Sequence, residues 1–359
     1  MDANNNSRRN QRVLALLVIA SSWCSWTQAV EIPSIAPARV IPFGDPDALD
    51  ANPQRRTAVV TAVVLSPDNS RLAAAGDDHK VRLFDTASGE LIQELDGHHD
   101  WVRGLSITGD GETIVSAGAD CCCRCWNIHT GDLLHVTQQG HGPMRCVAFH
   151  PNGVQFAAAG FCCPPSIYNY SAGNSQETRI AMQSPATKFD HTAVVFSPDG
   201  TLLAATSADG TLRVWRVATA ELLHEIKADS RRLRAVAFSP NGQTIATGGD
   251  GAKVCLWDLQ SGILQQEIPI RPAKVFCMSF VNDAELAVGG TDNRVQVWRV
   301  DSASLLKILE GHSGTITSLA VDTTSKLLVT GSFDTTIRVW HLDRMAETKT
   351  ATRPVEATK

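Results

Sequence analysis

At 359 residues, 43% of them hydrophobic and 19% charged, the chain can bury a large core as two ordinary domains or one large β domain, which excludes a disordered polymer. Its net charge of −5 gives no electrostatic case for a nucleic-acid partner.

The chain opens on a segment unlike the rest. Ser7-Arg8-Arg9-Asn10-Gln11-Arg12 is basic, Val13 to Ala20 is apolar, and Thr27-Gln28-Ala29 is a small-x-small tripeptide of the kind signal peptidases cut after. The apolar run spans about 12 Å as a helix, against a bilayer core of about 30 Å. Residues 1–29 therefore read as a cleaved signal peptide that sends the protein to a periplasm or the extracellular space and leaves no membrane span. The mature chain is expected to begin near Val30. Cleavage removes three arginines and one aspartate, so the net charge moves from −5 to −7. Residues 30–57 form an N-terminal extension with one β-like stretch, Ala-Arg-Val-Ile-Pro-Phe at 38–43.

From residue 58 one spacing takes over. Phe84, Trp126, Tyr168, Trp215, Trp257, Trp298 and Trp340 are separated by 42, 42, 47, 42, 41 and 42 residues. A second series keeps the same step: Leu65, Ile107, Phe149, Phe196, Phe238, Phe280 and Val321. A period of about 40–45 residues marks a propeller, in which each unit is one four-stranded sheet. Turn clusters such as Ser66-Pro67-Asp68, Ser197-Pro198-Asp199-Gly200 and Ser239-Pro240-Asn241-Gly242 divide the short apolar stretches of each unit. The spacing predicts an all-β, seven-bladed propeller of four-stranded antiparallel blades over 58–344.

The units also share a vocabulary. Gly97-His98, Gly140-His141 and Gly311-His312 open three of them, Trp257-Asp258 ends one, and Phe84-Asp85 is a variant ending. On these residues the chain resembles the WD-repeat family across residues 58–342. The resemblance implies a scaffold that presents loops to protein or peptide partners, with no catalysis and no cofactor, as a monomer or a subunit of a larger complex. It also implies a hydrogen-bonded tetrad inside a blade, carried onto His312, Ser332, Asp334 and Trp340 in unit seven. Unit two keeps His98, Asp120 and Trp126 but has Gly118 at the expected hydroxyl position; Asp78, Asp209 and Asp292 keep the turn aspartate elsewhere. The fifth unit has Gly251 there, with Asp250 one place early. These groups read as structural, because a carboxylate at a tight turn accepts backbone N–H bonds and orients a neighbouring imidazole.

Ten cysteines need a place. Cys123 and Cys125 align with alternating apolar strand positions of other units, Cys146 and Cys277 with a small-residue slot, and Cys255 with arginines of other units. Cys121, Cys122, Cys162 and Cys163 sit at the turn aspartate of units two and three, where Cys162 replaces the carboxylate and Pro164-Pro165 is expected to disrupt the strand that follows. Three readings stand for these thiols: unpaired, disulfide-bonded, or, with His141, a metal or redox centre on Cys121, Cys162 and Cys163. Adjacent cysteines speak against a zinc site, which favours a spacing of two to four residues.

Two competing functions follow. The first is an exported, non-enzymatic scaffold; the second is an exported metal-binding or redox module built on the Cys/His group. For a scaffold, residues just before the turn aspartate, or six before the second series, are expected on one face of the ring. They are Trp101, Phe161 and Phe333, with Arg232 and Lys274 opposite, a set suited to an apolar patch and an acidic partner. At the far end, the sequence after Trp340 offers no apolar outer strand. Residues 39–43 are therefore expected to close blade seven, Pro42 confining them to a sheet edge, and residues 345–359 to be disordered.

Overall fold

The structure is a computed structural model that describes residues 32–43, 57–137, 142–169, 179–182, 190–270, 273–322, 324 and 326–343. The expected signal segment, the C-terminal tail and His141 lie outside the described residues.

The described residues form seven antiparallel blades and no helix. We label the strands of each blade a to d from the axis outward. The a strands are Val60–Leu65, Val102–Ile107, Met144–Phe149, His191–Phe196, Leu233–Phe238, Val275–Asn282 and Ile316–Asp322. Each a strand touches those of both neighbouring blades, and the last touches the first, so the ring closes. The b strands, such as Arg71–Gly76 and Leu202–Ser207, are buried over nearly their whole length because both faces meet other blades. Their alanines and glycines let the sheets approach closely.

The aromatic period has a direct structural meaning. Each aromatic lies on strand c opposite an apolar residue of strand b: Leu72 with Phe84, Ile114 with Trp126, Phe156 with Tyr168, Leu203 with Trp215, Ile245 with Trp257, Leu286 with Trp298, and Leu328 with Trp340. One large ring per blade fills the wedge between adjacent sheets. The a–b turns repeat as well: the Ser66, Ser197 and Ser239 hydroxyls donate to Asp68, Asp199 and Asn241. Gly200 and Gly242 follow at φ 74° and 69°, a left-handed geometry that glycine adopts without strain.

Closure comes from the N-terminal side. Arg39–Pro42 is strand d of blade seven, antiparallel to strand c, Thr336–His341. Pro42 lies at this outer edge, where its missing N–H costs no ladder bond. One feature departs from the four-stranded expectation. Ser34–Ile35 adds to blade six as a fifth strand, parallel to its d strand, Ser304–Glu310. A second departure concerns Pro164-Pro165. The c strand of blade three, Cys163–Asn169, runs through both prolines and absorbs them as a register shift against Ala158 and Gly160. A bulge leaves its extra residues outside the ladder, so the absent proline donors do not break the sheet.

Candidate partner-binding site

The tetrads come first, because they hold the loops in place. In blade seven His312 Nδ1 lies 2.8 Å from Asp334, and His312 Nε2 lies 2.7 Å from the Thr330 hydroxyl. Trp340 Nε1 donates to the same hydroxyl at 3.0 Å. The hydroxyl member is therefore Thr330, not Ser332. Ser332 instead donates to the Gly314 carbonyl and accepts the Asp334 N–H. Burial alone would raise the Asp334 pKa, but hydrogen bonds from His312, Thr336 and the Ser313 N–H hold it far below the usual carboxylate range.

The same correction completes blade two. His98 reaches Asp120 at 3.0 Å and Ser116 at 2.7 Å, and Trp126 donates to Ser116 at 2.9 Å. Gly118 is not a missing hydroxyl. A Cβ there would lie 2.3 Å from both the Asp120 carboxylate and the His98 ring. Burial lowers the His98 pKa, against the opposing pull of Asp120.

The other turn aspartates are held by different partners. Arg82 pairs with Asp78 at 2.6 Å, and Arg213 with Asp209 at 3.4 Å. In blade six Gln296 donates to Asp292 at 2.7 Å and accepts from Trp298 at 3.0 Å, standing in for both the imidazole and the hydroxyl. Blade five moves its acid. Asp229 occupies the chain position of the histidine, and a Cβ on Gly251 would fall 1.8 Å from its carboxylate.

The cysteines divide as their positions imply. Cys123 and Cys125 are fully buried in the core between blades two and three. Among the described residues no disulfide joins the turn cysteines of blades two and three; Cys121 is half-buried and Cys162 exposed. Among the described residues no three His, Cys, Asp or Glu side chains group as a metal site.

The loop face is built by one recurrent bond. In each blade from two to seven the residue before strand a accepts a hydrogen bond from the b–c turn: Ala119 to Trp101, Phe161 to Pro143, Ala208 to Asp190, Asp250 to Arg232, Thr291 to Lys274, and Phe333 to Thr315. All five residues expected on the face thus sit at the same end of their blades. Trp101 and Phe333 are 42% and 48% exposed, large fractions for rings of that size. Phe161 and Arg232 are half-buried, and Lys274 is exposed. Two of the three rings each carry an arginine. Arg103 lies 5.0 Å over Trp101 and Arg145 lies 5.6 Å over Phe161.

The aromatic and apolar periods do not single out those arginines. Every a strand has a register shift at its second residue, which is Thr61, Arg103, Arg145, Thr192, Arg234, Phe276 and Thr317 in turn. Side chains at this position reach around the axis. Thr317 donates to the Val60 carbonyl of the next blade, and Arg234 lies 4.4 Å over Phe276 of the next blade. The signal was available: these residues immediately precede the small-residue slot of each unit.

A closed ring of loop-bearing blades, braced by buried His–Asp pairs, defines a seven-bladed β-propeller. Comparison with known proteins agrees. The family described as WD domain, G-beta repeat matches residues 52–85, 89–127, 131–163, 184–216, 220–258 and 303–341, and the chain belongs to the WD-repeat family. The matches leave out residues 259–302, which include strands a to c of blade six, the blade in which Gln296 stands in the tetrad.

The chain is 31% identical over 150 residues to apoptotic protease-activating factor 1 of Danio rerio, covering 41% of this chain and 12% of that protein. It is 41% identical over 58 residues to mitochondrial division protein 1 of Schizosaccharomyces pombe, 16% of this chain and 9% of that protein. It is 25% identical over 177 residues to a periodic tryptophan protein 2 homolog of Caenorhabditis elegans, 48% and 19% respectively. The matched part is thus less than a fifth of each of these relatives. WD-repeat proteins typically serve as protein-interaction scaffolds, generally without enzymatic activity. No helix of the described residues is long and apolar enough to cross a membrane.

Proposed function

We propose that the protein is an exported, non-enzymatic scaffold that captures a protein or peptide partner on the face formed by the b–c turns and the segments before the a strands. The observation that carries this reading is the exposure of Trp101 and Phe333 at loop ends fixed by the recurrent bond. Exposed large aromatics are enriched among binding hot spots and are costly to leave in water. The basic start, apolar run and Thr27-Gln28-Ala29 support export, and sequencing of the native protein should find a start near Val30; a soluble cytoplasmic form that keeps residues 1–29 argues against it.

The face itself is tested by photo-cross-linking in the native host. A benzophenone side chain placed at 101 or at 333 should trap the same protein adduct, and one at Ile92, exposed on the outer strand of blade one, should not. Trp101→Ala and Phe333→Ala should weaken capture while the melting temperature stays within a few degrees. Adducts from 92 alone, or normal capture by both variants, would put the interface elsewhere.

A further inference from the structure

The bulge positions and the residues before the a strands carry an unusual charge. Arg103, Arg145 and Arg234 occupy three of the seven bulge positions, and Arg232 and Lys274 precede strand a in blades five and six. In a chain of net charge −5 these five cations lie at one end of the axis, where Asp190 before strand a of blade four and Asp250 in the b–c turn of blade five are the acids of the same loop positions. Arg234 is neutralised by Asp250 at 2.7 Å. Among the described residues Arg103, Arg145 and Arg232 make no ion pair, and Arg103 Nε is buried without a hydrogen-bond partner. Burial lowers the Arg145 pKa, and the charges of Arg103, Arg232 and Arg234 act on it in the same direction. Like charges gathered in a half-buried rim raise the free energy of the empty state, and an anion relieves it.

The geometry points to the axial mouth on the loop face as a binding site for an acidic peptide segment, its carboxylates received by Arg103, Arg145 and Arg232. This deepens the scaffold reading and rests on it. The cations are spread over blades two, three and five, an arrangement that suits several carboxylates along a chain better than one compact anion. Guanidinium groups pair with carboxylates through two parallel N–H bonds. Trp101 and Phe161 lie under Arg103 and Arg145 and restrict their motion, so less side-chain freedom is lost when the peptide binds.

The test uses the full chain and a fluorescein-labelled hexaglutamate peptide, followed by fluorescence anisotropy at low salt. Saturable binding is expected, weakening as salt rises. Arg103→Gln and Arg145→Gln should each loosen it at least about tenfold, while Arg145→Lys, which keeps the charge but not the paired N–H bonds, should lose less than Arg145→Gln. Arg216→Gln removes the same charge from an exposed pair with Glu221 and should leave binding unchanged. If Arg145→Gln fails to fold, Arg103→Gln carries the comparison. No saturable binding, equal losses in all the Gln variants, or inorganic phosphate bound in place of the peptide would overturn the assignment. If the peptide fails while the trapped adduct at 101 and 333 persists, the acidic-peptide site falls and the scaffold reading stands.

Discussion

A buried hydroxyl shared by an imidazole and an indole stabilises a blade only while both partners are present. Thr330 accepts from Trp340 and meets His312 Nε2, and all three side chains are buried. Thr330→Val keeps the shape and removes the oxygen, leaving two buried polar groups unpartnered at about 1–3 kcal/mol each. Ser332→Ala costs less, because Gly118 fills the equivalent place in blade two and that tetrad is intact. Chemical denaturation should therefore show Thr330→Val as the more destabilising by at least about 1 kcal/mol; equal losses would mean that the hydrogen bonds do not hold the blade. The sequence left this ambiguous for a physical reason. Residues 330 and 332 are two apart on one strand and face the same side of the sheet, so periodicity cannot separate them. Only the reach from His312 to the strand does so.

Among the elements, those that recur were legible and those that occur once were not. The seven aromatic partners on strand c, the turn clusters and the loop-end residues all return with the period, and each return is an independent sighting of the same sheet. Ser34–Ile35 is two residues long and parallel to its neighbour, too short to show any alternation. Blade six departs at its tetrad, where Gln296 replaces two partners, yet its length keeps it in the series. The a-strand bulges were hidden for the opposite reason. A bulge present in every unit adds one residue to each and leaves the spacing unchanged, so the period cannot reveal it. Reading strand a as simple alternation misplaces the second residue, and with it Arg103, Arg145 and Arg234.

For the molecule as a whole, the stability of the ring depends on what joins its ends. Residues 34–43 cross three blades. Ile35 packs in the core shared by blades six and seven with Leu309 and Trp340, and Ile41 in the core shared by blades seven and one with Val60 and Ile337. Phe43 lies under the Arg82 guanidinium of blade one at 4.7 Å, and a Cβ on Gly76 would fall 2.4 Å from its ring. Arg39 donates to the Ser88 carbonyl of blade one. This segment thus closes the ring by side chains as well as by a strand ladder. Burial of three such apolar side chains is worth about 1.5–3 kcal/mol each as an upper estimate, a large part of the roughly 5–15 kcal/mol typical of a domain. Alternate residues of the strand separate the two contributions. Ile41 is 2% exposed and Val40 is 47% exposed, while both pair with strand c of blade seven. Ile41→Ala should cost about 2–5 kcal/mol, and Val40→Ala less than about 1 kcal/mol. Deleting residues 30–44 should lower the melting temperature more than either, because it opens both interblade cores and frees the edge of blade seven. A deletion that melts with the intact protein, or an Ile41→Ala no costlier than Val40→Ala, would show that the seven blades hold together without this closure.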